Sequence, residues 1–169
     1  MPLGFLTAVV FIILAQPRTL TLVIGSAVSL IGLIVRAWAA GHIRKNAALA
    51  TTGPYAYTRN PLYLGSLAIG IGLAAAGQSL AAAALVLAYF AVFYPPLMRD
   101  EAAFLQRRFP EDYAGWARAV PLLVPRLLPA GPRATRFRWQ RVRANREWRT
   151  LLALPLFALL LYARGRWLP

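Results

Sequence analysis

Between two apolar runs, residues 49–65 read LATTGPYAYTRNPLYLG. Gly53-Pro54 is a turn signal. Tyr55, Tyr57 and Tyr63 crowd three phenols together, and Arg59, Asn60 and Pro61 lead into the next apolar run, with Pro61 suited to the first turn of a helix. A guanidinium and an amide at a membrane boundary are costly unless they are paired or reach water, so their density here marks a site that grips a polar group. The alternative is an arginine that snorkels within an interfacial aromatic belt. The chain has no cysteine, one histidine (His42) and five acidic residues. Thiolate chemistry and disulfides are therefore excluded, and no protein-built metal centre is expected. His42 has no evident partner in the sequence, so no strong general base stands out.

The elements that must position these residues are membrane helices. The chain has 169 residues, 59% of them hydrophobic, and a mean hydropathy of +0.54, which points to a multi-pass membrane protein rather than a soluble domain. Residues 3–15 are apolar but short for a span; they lack a basic flank and a clear cleavage site, and read as a retained membrane segment. Residues 20–40 form a clear span in which Gly25, Ser26, Ser29 and Gly32 allow close helix packing. Residues 62–77 and 80–98 form a hairpin about Gly77-Gln78-Ser79. The GIGLAAAG stretch within it has no preceding strand and is read as a packing surface, not a dinucleotide loop. Residues 99–121 are polar and suit a helix on or just under the membrane plane, ended by Pro121. The last apolar run, residues 150–163, contains Pro155 and is either a tilted fifth span or a helix dipping into one leaflet. The expected fold is one all-α domain over residues 1–169, a bundle of about five membrane segments.

The hairpin brings Arg59-Asn60 towards Arg99-Asp100-Glu101 at one membrane boundary. By itself this convergence also fits an Arg59–Glu101 pair that only ties helix ends together. The net charge of +14 comes almost wholly from arginine. Residues 126–149 carry Arg126, Arg133, Arg136, Arg138, Arg141, Arg143, Arg146 and Arg149, interleaved with Phe137, Trp139 and Trp148. Between membrane segments this composition favours anionic lipid headgroups over nucleic acid. The positive-inside rule, with Arg44 and Lys45 also counted, puts the polar site and the N-terminus on the cytoplasmic side. A spanning last helix would then leave Arg164 and Arg166 outside.

Two blocks carry a resemblance. Thr51-Thr52-Gly53-Pro54-Tyr55 with Arg59-Asn60-Pro61-Leu62-Tyr63, and later Glu101 to Leu105, Phe109 to Tyr113, Val120-Pro121 and Pro125, resemble the signature of the isoprenylcysteine carboxyl methyltransferases and their phospholipid methyltransferase relatives. The match covers about residues 30–127. It implies an integral membrane enzyme that uses S-adenosylmethionine on a lipophilic or lipid-anchored acceptor entering from the bilayer. Carboxylate O-methylation is favoured, because no base is evident, and lipid-amine N-methylation is the other possibility. On this resemblance Arg59 and Glu101 are the catalytic candidates. Arg59 would hold the cofactor's carboxylate, and Glu101 would accept from its ammonium or hydroxyl groups. Tyr55 and Tyr63 would stack on the adenine or face the sulfonium. The backbone of Leu49, Ala50, Thr51 and Gly53 would bond the adenine edge, and Asn60 would complete the set.

The chain departs from the family pattern at Asn60, where the family has histidine, at Ala102, where it has a second glutamate, and at Ala47. An asparagine there still donates and accepts a hydrogen bond but carries no proton. Two other readings are an NADPH-dependent membrane reductase of related fold and a non-catalytic protein that binds anionic lipid through its arginines.

Overall fold

The computed structural model describes residues 2–44, 47–130 and 136–167; Lys45 and Arg133 lie outside them. These residues form helices α1 (Pro2–Leu14), α2 (Thr19–Ala40), α3 (Pro61–Gly77), α4 (Leu80–Arg108), α5 (Pro110–Ala119), α6 (Trp139–Ala144) and α7 (Trp148–Trp167), with a 3-10 turn at Gly53–Ala56. No strand occurs among the described residues, so their regular structure is all-helical as expected.

Local chemistry sets the boundaries. Thr21, in the first turn of α2, closes onto the Arg18 backbone, accepting from its N–H at 3.2 Å and donating to its carbonyl at 3.0 Å. Pro61 opens α3 at a position where its missing N–H costs nothing. Gln78 takes a left-handed conformation (φ 45°) to turn the chain, and the Ser79 hydroxyl caps α4 by accepting from the Ala82 N–H at 3.3 Å. One expectation is corrected here. The fourth helix does not stop near residue 98 but runs on to Arg108, through Pro95 and Pro96. Residues 99–108 are mostly good helix formers, with no breaker before Pro110. The polar segment therefore begins as a continuation of the membrane helix, and only α5 forms a separate element.

The closest pairing in the bundle is between α2 and α3, which run antiparallel. A methyl group added at Gly25 would strike the Gly72 carbonyl and Ala76, and one at Gly32 would strike the Gly65 carbonyl and Ile69. Ser29 donates across the seam to the Ile69 carbonyl at 3.3 Å. The glycines of α3 are thus a contact surface, which disposes of the dinucleotide-loop reading. The same register lays Arg36 against Leu62, Gly65 and Ser66.

Around this pair, Phe11, Ala15, Ala76, Ala82 and Leu161 bring α1, α3, α4 and α7 into one buried cluster at one end of the bundle. A second cluster at the other end joins Ala39, Tyr55, Tyr113, Trp116 and Val120. Helix α7 runs the length of α2, from Glu147 beside Arg36 to Gly165 beside Pro17. By length and composition α2 and α4 can each cross a membrane, while α1 and α3 are shorter apolar helices. The outward faces remain apolar: Ile34 on α2 is 60% exposed and Leu156 on α7 is 59% exposed, a surface suited to lipid rather than water.

This packing yields a stability test. Gly72→Val should cost about 1–3 kcal/mol or more through overpacking. Gly115→Ala, in α5 with nothing within 4 Å of the new methyl, should be neutral or stabilising by about 0.5–1 kcal/mol. Thermal unfolding of the detergent-solubilised protein distinguishes the two.

Candidate active site

The stretch from Ala56 to Asn60 has irregular backbone, and its polar groups find partners in a second irregular stretch, residues 119–130. Arg59 N–H donates to the Pro121 carbonyl at 2.9 Å, Arg126 N–H to Tyr57 O at 3.0 Å, and Ala130 N–H to Ala56 O at 2.8 Å. Side chains reinforce the seam: the Thr58 hydroxyl donates to Leu123 O at 3.0 Å, and Asn60 Nδ2 donates to Leu122 O at 2.9 Å. The Arg126 guanidinium closes the turn onto Ala119 O at 2.8 Å. The two motif blocks are thereby zipped together.

Next to this seam Arg59 and Glu101 face one crevice, shared with Asn60, Met98, Ala102, Leu105, Tyr113, Trp116 and Leu122. No ion pair joins the two charges. Glu101 instead accepts from the Tyr63 hydroxyl at 2.8 Å and is otherwise exposed. Arg59 Nε is buried with no hydrogen-bond partner. A buried, unsatisfied guanidinium nitrogen costs free energy that an anionic ligand would recover. The crevice encloses about 10 Å³, room for about one water molecule. A larger group is therefore accommodated only as the surrounding side chains part.

Of the residues singled out in the sequence, Arg59, Asn60 and Glu101 meet at this crevice, and Tyr63 joins them through Glu101. Arg99 and Asp100 are exposed and do not line it. Asn60 is 8% exposed and spends its amide donor on Leu122, so it fixes the seam. Leu49, Ala50, Thr51, Gly53 and Tyr55 are not part of the lining either. Leu49 and Ala50 pack against the cluster of Tyr55, Tyr113 and Trp116 behind the crevice, and the Tyr55 carbonyl accepts from the Trp116 indole N–H at 3.0 Å. Gly53 has φ +61°, and any side chain there would strike the His42 ring. His42 itself is buried, with Nδ1 2.9 Å from the Trp38 carbonyl, a structural histidine. Burial pushes the Tyr55 phenol well above its ordinary value, and the Glu101 and then the Glu147 carboxylate push the same way.

Sequence reasoning missed a second polar cluster. Arg36 and Glu147 form a bidentate ion pair, Nε to Oε2 at 3.0 Å and Nη2 to Oε1 at 2.7 Å. Arg36 Nη1 also donates to the Leu62 carbonyl at 3.3 Å and to the Ser66 hydroxyl. The signal was present: Arg36 is the lone charge in the apolar run of residues 20–40, and Glu147 the lone acid among the arginines of residues 126–149. Arg36 also lines a cavity of about 430 Å³ between α1, α3, α4 and α7. Tyr63 touches residues of both spaces. Its hydroxyl holds Glu101, and its ring meets the Tyr94 ring edge-on at 5.3 Å, with Tyr94 lining the cavity.

Residues 19–112, which span the helical core and both Arg59 and Glu101, match the phospholipid methyltransferase family. The chain belongs to that family. Similar proteins include the cobalt-zinc-cadmium resistance protein CzcN of Cupriavidus metallidurans, 42% identical over 115 residues, which are 66% of this chain and 51% of that protein. The nickel-cobalt-cadmium resistance protein NccN of Alcaligenes xylosoxydans xylosoxydans is 35% identical over 140 residues, 79% of this chain and 65% of that protein. The chain thus spans about half the length of the first and about two-thirds of the second. No solved structure matches it. Within this phospholipid methyltransferase family member, no group of three His, Cys, Asp or Glu side chains among the described residues is arranged to hold a metal ion.

Two outcomes follow from the site's geometry. Asn60→Ala removes the amide donor from the Leu122 carbonyl, which the Thr58 hydroxyl also approaches at 3.3 Å, and should cost about 0.5–1.5 kcal/mol, read by thermal unfolding. Tyr55 favours its protonated form in the folded state. Its contribution to stability is therefore complete below the ordinary tyrosine value of about 10 and is lost as pH rises above it. Wild type should lose stability between pH 9 and about 11.5, and Tyr55→Phe should lose measurably less over the same range.

Proposed function

We propose that the chain is an integral membrane methyltransferase that uses S-adenosylmethionine and modifies a lipophilic acceptor. Supporting this reading is one observation above the others: a buried guanidinium nitrogen without a partner at Arg59 lies across a crevice from an exposed carboxylate at Glu101. A cofactor that carries a carboxylate, an ammonium and ribose hydroxyls fits that pair of charges. Arg59 would take the carboxylate through charge-assisted hydrogen bonds. Glu101, oriented by Tyr63, would accept from the ammonium or a hydroxyl. Tyr113 and Trp116 would offer ring faces to a cation or an adenine. Family membership supports the reaction class.

The bound cofactor supplies an electrophilic methyl on sulfur; on transfer to a carboxylate oxygen the C–S bond breaks as the O–C bond forms, the electron pair stays on sulfur, and no proton is released. The residues need therefore only align the reactants and exclude water. Nothing at the crevice is built as a strong base, which favours a carboxylate over a lipid amine as acceptor. The site lies at the arginine-rich end of the bundle, where Arg44, Arg126 and Arg138 also cluster, while Arg18 and Arg166 mark the opposite end. By the positive-inside rule the arginine-rich end faces the cytoplasm, with the membrane-buried helices forming a multi-pass bundle. Exposed Arg136, Arg138, Arg143 and Arg149, beside exposed Trp139 and Trp148, would rest on anionic headgroups.

Calorimetric titration of the purified full chain with S-adenosylhomocysteine tests the proposal. Saturable binding is expected in wild type, weakened at least about tenfold, or about 1.4 kcal/mol, in both Arg59→Ala and Glu101→Ala. Absence of binding to the folded wild-type protein overturns the reading. Labelling of a lipid extract with radioactive methyl donor then distinguishes acceptors, because a methyl ester is released by mild base and an N-methyl group is not.

A further inference from the structure

The cavity between α1, α3, α4 and α7 is separate from the crevice that holds Arg59 and Glu101. At one end sit Arg36, Ser66, Tyr94 and Thr150; towards the other lie Leu73, Val86 and Phe157, packed on the apolar cluster around Phe11 and Leu161. Among the described residues, Arg36 is the only charged side chain in its lining. Glu147 stands behind the guanidinium rather than in the cavity, and holds it by two of its N–H groups, while Leu62 and Ser66 take two more. Of the five N–H donors of an arginine one, on Nη2, is left over. The polar end of the cavity thus offers a fixed, charge-assisted donor and no carboxylate acceptor.

We infer that this cavity holds the methyl acceptor, a single-chain amphiphile whose anionic head lies against Arg36, with Glu147 as the residue that positions the guanidinium. Size and charge complementarity select this occupant. A volume of about 430 Å³ is about three times the ~150 Å³ of an apolar cavity that takes up one benzene, which suits one chain of roughly a dozen or more carbons rather than the two full tails of a membrane phospholipid. An ammonium head would meet a guanidinium with no free carboxylate to offset the repulsion. The location suits transfer as well, since Tyr63 touches both Tyr94, at the head end of the cavity, and Glu101, in the crevice. Two of the four walls, α1 and α7, lie outside the residues that match the family. The head contacts at Arg36, Ser66 and Tyr94 lie within the matched residues, whereas the walls that enclose the tail come partly from outside them. This inference rests on the methyltransferase reading for the occupant's role, but the binding itself needs no cofactor.

The test uses the full chain in nanodiscs with a photoactivatable diazirine fatty acid, followed by peptide mapping. Label is expected on α1 and on the Ala153–Phe157 stretch of α7. It should be displaced by tetradecanoate at least tenfold more effectively than by tetradecyltrimethylammonium or by a diacyl phosphatidylglycerol. Equal displacement by either of these in wild type overturns the assignment without any variant. Ala8→Trp, which fills the cavity from α1, should reduce the label at least tenfold while leaving S-adenosylhomocysteine binding intact; unchanged labelling overturns the assignment. Arg36→Gln should abolish the preference for the carboxylate. Glu147→Gln keeps an amide oxygen to hold the guanidinium and removes the charge that competes with the ligand, so it should bind tetradecanoate as tightly as wild type or more tightly; weaker binding by the folded variant overturns the positioning role. Normal S-adenosylhomocysteine binding with none of these labelling results rejects the acceptor site alone; the reverse pattern rejects the donor reading.

Discussion

Irregular backbone at the edge of a bilayer has to satisfy its hydrogen-bonding groups from within the protein, because lipid offers none. Everything at this candidate site depends on how that demand is met. The carbonyls of Ala56 and Tyr57, the N–H of Arg59 and the side chains of Thr58 and Asn60 all bond to residues 121–130. Since that second stretch follows α4 and α5, closing the seam fixes where both helices lie. Trp116 then reaches the Tyr55 carbonyl, and the part of α4 that carries Glu101 comes to face Arg59. The catalytic candidates are brought together by main-chain pairing and not by attraction between their own charges, which leaves both charges available to a ligand.

The fold was largely legible in the sequence because it follows from long apolar runs punctuated by Pro and Gly. Small residues in α2 and α3 announced a tight helix pair, and the structure has one. The convergence of Arg59 and Glu101 was legible from the hairpin alone. The status of the neighbouring residues was not. Asn60 is chemically able to contact a cofactor, and only coordinates reveal that Leu122 takes its donor. Gly53 and the residues before it read as backbone exposed by a turn, yet they form the layer that supports the crevice. Hydrogen-bond partners distant in sequence leave no periodic trace, so such assignments escape pattern reading.

The Arg36–Glu147 pair escaped for a related reason. Each residue was individually conspicuous, but 111 positions separate them, and the intervening segments had to fold before they could meet. A bidentate pair of this kind is only weak evidence of stabilisation, because desolvation offsets much of the attraction. Its consequence is geometric: it fixes the start of α7 against α2, so the cavity has a defined fourth wall.

The two prolines in α4 have a mechanical effect on this arrangement. Pro95 and Pro96 supply no N–H, so the Ala91 and Val92 carbonyls lack their usual partners one turn ahead. Helix α4 thus lacks two ladder hydrogen bonds at one level, between Tyr94 on the cavity side and Met98, Glu101, Ala102 and Leu105 on the crevice side. Any bend taken up at that level moves Met98, Glu101, Ala102 and Leu105 together, because all four lie on the helical segment beyond the prolines.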